Sequence, residues 1–482
     1  MELKPFKLFI DGQWVESAAG KYFETVNPAT EEVITEIAQG DARDVERVVV
    51  AARRAFESGP WPRLAGSARR AVLERMATLL AERTDEFALL ETLDTGKPLL
   101  QSRTRDLPFA CEILRYYAGW ADKIYGTSLP AGPQGVGYTL REPVGVVGMI
   151  TPWNSPLVLS LMKIAAALAA GNVLIHKPAS WTPLTAYRFA QLALEAGLPP
   201  GVLNVITGPG HTVGKAIVAH PQVDKISFTG ETATGREIMR DGADTLKRIS
   251  FELGGKSPNI VFADAPDLDA AAALSARGFC VNQGQICWSG SRLFVEESVH
   301  DRFIEKLLAR VKNDWKIGDP MDANTGMGPL ISGSHLKHVQ EYIVEGKKGG
   351  AELLTGGERP DRKGYFLTPA VFDNADNRMK IAREEIFGPV LTVIPFKTFE
   401  DVVAQANDTC YGLASGIWTS DITKAHRLAR LLRAGSVWIN TYGALNPAAP
   451  FGGFRQSGFG REMGQEALQL FTEVKTVWVN LA

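Results

Sequence analysis

Between residues 144 and 255, short and largely apolar runs alternate with segments of helical period. Val144 to Ile150, Asn172 to His176, Leu203 to Thr207, Lys225 to Thr229 and Arg248 to Glu252 read as strands. Helices are predicted from about Pro156, over Thr182 to Ala196, near Thr212 to Ala219, and from Gly230 to Arg240. Strands that are apolar on both faces need cover on both faces, so the pattern predicts a parallel sheet between layers of helices. Such sheets bind ligands outside the carboxyl ends of their strands.

The flanking chain is organised around this block. Residues 7 to 37 read as short strands, with Asp11-Gly12 as a hairpin turn. Helical periodicity follows over Asp41 to Ser58, Ser67 to Thr92 and Asp106 to Lys123, with Asp41 and Ser67 as predicted N-caps. From about Lys256 to residue 440 the strand–helix alternation repeats less regularly, which predicts a second α/β domain. Tyr138 to Arg141 and Glu473 to Asn480 read as strands outside either core. They can pair with each other, pair with a sheet edge of another subunit, or cover the chain's own core.

Composition excludes several classes. A length of 482 residues predicts two to three domains, and a net charge of −2 gives no basis for a nucleic-acid or anionic-membrane partner. Cys111, Cys280, Cys287 and Cys410 are scattered and form no CxxC pair, so neither a disulfide framework nor a metal site is expected. The N-terminal stretch lacks the pattern of a signal peptide, and the expectation is a cytoplasmic protein. Leu157 to Ala170, the most apolar segment, contains Lys163 and is shorter than the roughly 20 residues of a membrane span, so it reads as a core helix.

Chemistry concentrates in a few stretches. Cys287 lies in Gln283-Gly284-Gln285-Ile286-Cys287-Trp288-Ser289-Gly290, a polar and flexible setting that suits a reactive thiol better than a dry core. Glu252, in Glu252-Leu253-Gly254-Gly255-Lys256, is a candidate base for covalent catalysis. Asn154, after Pro152-Trp153, can donate to an oxyanion or serve as a turn residue. Phe228-Thr229-Gly230-Glu231 is either a phosphate-approach turn or a plain strand-to-helix turn; in the first case the Glu231 side chain should point away. Lys177 and Glu385, each beside a strand, read as sugar- or phosphate-binding groups or as surface charges. None of the seven histidines has partner spacing to Cys287, which disfavours a Cys–His hydrolase.

The order of these motifs is more specific than any one of them. Pro152-Trp153-Asn154, Lys177-Pro178, Phe228-Thr229-Gly230, Glu252 to Lys256, Gly284 to Cys287, Glu385-Ile386-Phe387-Gly388-Pro389 and Pro450-Phe451-Gly452-Gly453 resemble the aldehyde dehydrogenase superfamily over essentially the whole chain. The resemblance implies an α/β fold: a Rossmann-like dinucleotide-binding domain (1–123 and 144–254), an α/β catalytic domain (255–455), and a small β oligomerisation element (124–143 and 456–482). It implies oxidation of an aldehyde to the acid through a Cys287 thiohemiacetal and thioester, with Asn154 on the oxyanion, Glu252 as the hydrolytic base and Lys163 nearby. It implies NAD or NADP held by Ile150, Thr151, Trp153, Lys177, Ser180, Gly210, Phe228, Gly230, Glu231, Leu253, Glu385 and Phe387. The partners implied are a small-molecule aldehyde and further copies of the chain, in a dimer or tetramer.

Two departures from the family's pattern carry expectations. Many NAD-specific members have a glutamate where this chain has Ser180; serine removes a charge that repels a 2′-phosphate, so both NAD and NADP are expected to serve. By motif offset the substrate tunnel is lined by Phe109, Ser155, Leu159, Met162, Ile286, Trp288, Leu445 and Phe451. These are too few aromatic faces for a cation cage, and a medium-length apolar or mildly polar aldehyde is expected. The rival readings are a CoA-acylating enzyme, which needs no glutamate base, and a non-catalytic protein on the same scaffold.

Overall fold

The computed structural model describes residues 3–481. Met1, Glu2 and Ala482, which fall within the expected domain limits, lie outside the described residues. Two seven-stranded sheets dominate. The first runs in the order Arg248–Glu252, Lys225–Thr229, Val146–Ile150, Val173–Lys177, Leu203–Val205, Leu8–Ile10, Gln13–Val15. Its first five strands are parallel, and the N-terminal hairpin closes one edge antiparallel. The hairpin turns at Asp11 and Gly12, both at positive φ, as a tight two-residue connection requires.

The chain builds this sheet outward from Val146–Ile150 to Leu203–Val205. It then returns to lay Lys225–Thr229 on the other side of Val146–Ile150. That reversal opens a crevice between the two strands at their carboxyl ends, the ligand position of open α/β sheets. The second sheet runs Glu352–Thr355, Ala370–Asp373, Val390–Phe396, Arg292–Glu296, Pro258–Val261, Ala414–Trp418, Ser436–Ile439, parallel except at its first pair.

The two outlying strands pair with each other: Thr472–Asn480 lies antiparallel along Gly135–Pro143, with Ser128–Leu129 as a third strand. Val136, Tyr138, Leu140, Val474, Trp478 and Val479 remain exposed on this small sheet.

The helix Pro156–Ala169 is buried at every position but Leu159. Among the described residues no helix is long and apolar enough to cross a membrane. Asp41 caps the helix Ala42–Glu57 in a full capping box with Asp44. The predicted helix over Ser67 to Thr92 is instead two helices, Gly66–Glu82 and Thr84–Thr95, broken at Arg83. Ser67 is not its cap. The helix begins at Gly66, where only glycine fits because an added Cβ would stand 2.3 Å from the Ala121 carbonyl oxygen. Lys177, read as following its strand, is the strand's last residue.

Candidate active site

Cys287 follows three consecutive residues in left-handed backbone: Asn282 (φ 51°), Gln283 (φ 58°) and Gly284 (φ 71°). Such strain in non-glycine residues persists only where the surroundings over-determine it. Here Asn282 Nδ2 donates to the carbonyls of Asn154 (2.8 Å) and Gln285 (3.1 Å), and Gln283 Nε2 donates to Pro329 O (2.7 Å). Only glycine fits at 284, because an added Cβ would lie 2.3 Å from the Gly388 carbonyl. Cys287 itself is half-buried and opens on a cavity of about 410 Å³.

Asn154 lines the same cavity. One N–H of its amide donates to Gln285 O at 2.8 Å, which fixes the orientation of the amide. Burial pushes the Cys287 thiol above the ordinary thiol range, and the Glu252 and Glu385 carboxylates add to the shift. The backbone N–H groups of Trp288 and of Cys287 itself pull the other way.

Glu252 ends its strand buried, and neither carboxylate oxygen has a hydrogen-bond partner. Its pKa is raised well above the ordinary carboxylate value, first by burial and then by Glu462. Lys163, on the buried helix, pairs with Glu462 at 2.6 Å. Glu462 is a residue that sequence reasoning missed; it lies in no local motif and reaches the site by bridging to Phe451.

The glycines of the motifs have specific causes. A Cβ on Gly254 would meet Glu385 Oε2 at 2.1 Å, one on Gly255 would meet the Cys287 carbonyl at 2.4 Å, and one on Gly452 would meet Glu252 Oε1 at 2.6 Å. The Gly255 N–H also donates to Glu385 Oε1 at 3.0 Å. Burial lifts the Glu385 carboxyl to about 7, against the pull of that N–H and of Lys256.

The remaining predicted cofactor residues gather at the crevice. Ile150 stands in register with Phe228 on one side and Lys177 on the other, and Thr151 N–H donates to Lys177 O. Lys177 is buried without a carboxylate partner, and burial lowers its ammonium to about 8. Ser180 Oγ donates to Gly208 O at 3.3 Å, and Gly210 opens on free space. Gly230 makes room for the Phe228 ring, whose nearest atom would lie 2.5 Å from a Cβ there. Glu231 is exposed and leaves the N-terminus of Thr232–Asp241 without a side-chain cap. Leu253 packs under Gly235.

Trp153 meets Phe387, His335 and Trp181 edge-on at 5.3, 5.4 and 5.7 Å. His335 donates to Phe387 O at 2.8 Å, so it is a support of this wall that sequence spacing did not reveal. An unpaired buried cation, open backbone and a carboxylate acceptor together fit an anionic dinucleotide with sugar hydroxyls.

All eight residues read as tunnel lining face the 410 Å³ cavity: Phe109, Ser155, Leu159, Met162, Ile286, Trp288, Leu445 and Phe451. Three of them are aromatic. The lining also includes polar residues absent from the expectation, among them Gln101, Arg105, Asp106, Glu112 and Arg277. The 441–451 loop is held by Trp438, whose Nε1 donates to Ala444 O at 2.8 Å, and by Tyr442, whose hydroxyl donates to Trp288 O at 2.9 Å.

Comparison with known proteins agrees with this geometry. The profile described as the aldehyde dehydrogenase family matches residues 14–477. The chain is 50% identical over 477 residues to aldehyde dehydrogenase 1 of Tanacetum cinerariifolium, covering 99% of this chain and 95% of that protein. It is 47% identical over 477 residues to the human mitochondrial aldehyde dehydrogenase, with 98% and 92% covered. Its fold superposes with a TM-score of 0.97 on the indole-3-acetaldehyde dehydrogenase AldA of P. syringae in complex with NAD+ and IAA (45% identity; 98% and 96% covered). The NAD+ complex of a Bacillus cereus aldehyde dehydrogenase gives the same TM-score of 0.97 (47% identity; 99% and 97% covered). The chain belongs to the aldehyde dehydrogenase family.

Proposed function

We propose that this NAD(P)-dependent aldehyde dehydrogenase oxidises its aldehyde to the carboxylic acid through a covalent bond to Cys287. The observation that carries this reading is the cavity that Cys287 and Asn154 line together, with an unpaired Glu252 close enough to act on the thiol. The sulfur attacks the carbonyl carbon. The oxygen that becomes negative takes the second N–H of Asn154, whose first N–H is held by Gln285, and the backbone N–H of Cys287. Glu252, whose pKa burial raises well above the ordinary carboxylate value, is a stronger base than a solvent-exposed carboxylate and accepts the thiol proton. When bound, the nicotinamide cofactor supplies the oxidant for the carbon on Cys287. Glu252 then takes a proton from the water that attacks the thioester, which releases the acid.

For the cofactor, Glu385 would hold the nicotinamide-side ribose and Lys177 the adenine-side ribose, with Trp153 and Phe387 walling the crevice. NAD use has support from the NAD+ complexes of the relatives. We infer that NADP serves as well, because Ser180 brings no negative charge and Lys177 has no carboxylate partner. Comparable kcat/KM for the two cofactors is expected; Ser180→Glu should cut the NADP+ value by about tenfold or more. A thousandfold NAD+ preference in the unaltered chain overturns this part. The apolar lining near Leu159, Met162, Ile286 and Trp288 favours medium-length aldehydes. The exposed apolar edge of the 128–143 and 472–480 sheet suits assembly with further copies, and Trp478→Glu should lower the mass seen by light scattering.

The direct test is an aldehyde panel with NAD+ and NADP+, followed by absorbance of the reduced cofactor, with Cys287→Ala alongside. Turnover is expected in the unaltered chain and not in the variant, without added CoA. Turnover that persists in Cys287→Ala, or that needs CoA, overturns the mechanism.

A further inference from the structure

The cavity wall carries two arginines that the oxidation chemistry does not use. Arg105 lies in the π-helical turn Ser102–Asp106, and Arg277 in the last turn of Leu268–Cys280. Among the described residues neither guanidinium has a hydrogen bond or an ion pair, although neighbouring Arg103 pairs with Asp85. The two are close enough to repel: Arg277 is shifted below the ordinary arginine range by burial and then by the charge of Arg105.

The acids of the cavity do not neutralise them. Asp106 is tied to Lys97 at 2.9 Å, and Lys97 also holds Glu91 at 3.0 Å. Glu112 is exposed and pairs with neither arginine. At the other end, the charges acting on the Cys287 thiol are those of Glu252 and Glu385, not of either arginine. The cavity therefore has a nucleophile with apolar walls at one end and uncompensated positive charge away from it.

We propose that Arg105 and Arg277 select an aldehyde that carries a carboxylate at its far end, so that the enzyme converts an ω-oxo acid to a dicarboxylate. A guanidinium fork binds the two oxygens of a carboxylate in parallel, and two neighbouring arginines relieve their own repulsion by sharing one anion. This rests on the reading of Cys287 as the group that attacks the aldehyde. It also revises the expectation of an apolar or mildly polar substrate, because the apolar lining then holds only the methylene chain.

The test compares 6-oxohexanoate, its methyl ester and hexanal with the holoenzyme. The acid should exceed the ester in kcat/KM by about tenfold or more, chiefly through KM. Arg277→Leu should lower the acid-to-ester ratio by about tenfold or more, and Arg277→Lys should restore part of it. An ester as good as the acid, or an equal fall for both in Arg277→Leu, overturns the proposal. A second readout needs no turnover: protection of Cys287 from iodoacetamide by adipate, against hexanamide as the neutral control. Protection by adipate that is lost in Arg277→Leu supports the anion site even where none of the three aldehydes is oxidised, an outcome that instead overturns the oxidation reading. No protection by adipate overturns the site.

Discussion

Two buried clusters in this protein have similar compositions and opposite organisation. In one, Lys97 sits fully buried between Glu91 and Asp106 and bonds both, at 3.0 and 2.9 Å. Burial works against its charge, but the two carboxylates outweigh it and hold the ammonium above its ordinary range. In the other, Lys163 bonds Glu462 alone, and Glu252 is left with no partner for either oxygen. Lys225 stands close enough to feel Glu462 and Lys163, yet its own hydrogen bond goes to Ser250. The first arrangement is what buried ions need for stability; the second keeps a costly unpaired acid beside the nucleophile. Which acid is left unpaired separates the two, and that depends on who sits opposite.

Four measurements test this contrast. The largest effect is expected in Glu252→Gln, which should lower kcat by about 10²–10⁴-fold while leaving the fold intact; near-normal steady-state rates would show that the unpaired acid has no catalytic use. Next, Lys97→Met strands two buried carboxylates and should destabilise by about 3–5 kcal/mol, visible as a large drop in melting temperature. An unchanged melting temperature would mean that the paired cluster contributes nothing.

Third, the Cys287 thiol and the Glu252 carboxyl are both shifted upward, so each reaches its reactive ionised form at a higher pH than its ordinary value would give. kcat/KM should rise with pH from 6 to 9.5, by up to about tenfold per unit. A flat profile would contradict the raised values.

The smallest effect concerns stability. A carboxyl whose folded pKa is raised binds more protons folded than unfolded, so it weakens the fold as pH climbs above its ordinary value of 4.5. Glu252→Gln should therefore melt higher than the unaltered chain at pH 8, by about 0.5–2 kcal/mol, with the gain vanishing towards pH 4. A variant that melts lower at pH 8 would deny that Glu252 is held at a cost.

Much of the site was legible as spacing. The parallel sheet around 144–255 and the cysteine, glutamate and asparagine of the motifs were named from the chain alone; the structure puts Cys287 and Asn154 on one cavity, with Glu252 near enough for its charge to act on the thiol. The residues missed share a property: nothing near Glu462, His335, Arg105 or Arg277 in the chain shows which distant group each one meets. Glu462 matters only because the chain folds back to bring it against Lys163, 299 residues away. The split at Arg83 was hidden for a related reason, since apolar periodicity runs through it while the Arg83 backbone (φ −107°, ψ 24°) leaves the helical region.

Local geometry follows from neighbouring residues: strand and helix periods, the Asp11-Gly12 turn, and the Asp41 cap all depend on residues within a few positions of one another. The sequence also marked Gly254, Gly255 and Gly452 as glycines without giving their reason. Tertiary structure decided what those glycines admit, namely Glu385, the Cys287 carbonyl and Glu252. It likewise decided which charges are matched and which stand alone. The physical reason is one of range: backbone preference is set by neighbours in the chain, whereas the cost of a buried charge is set by whatever partner the fold brings within hydrogen-bonding distance.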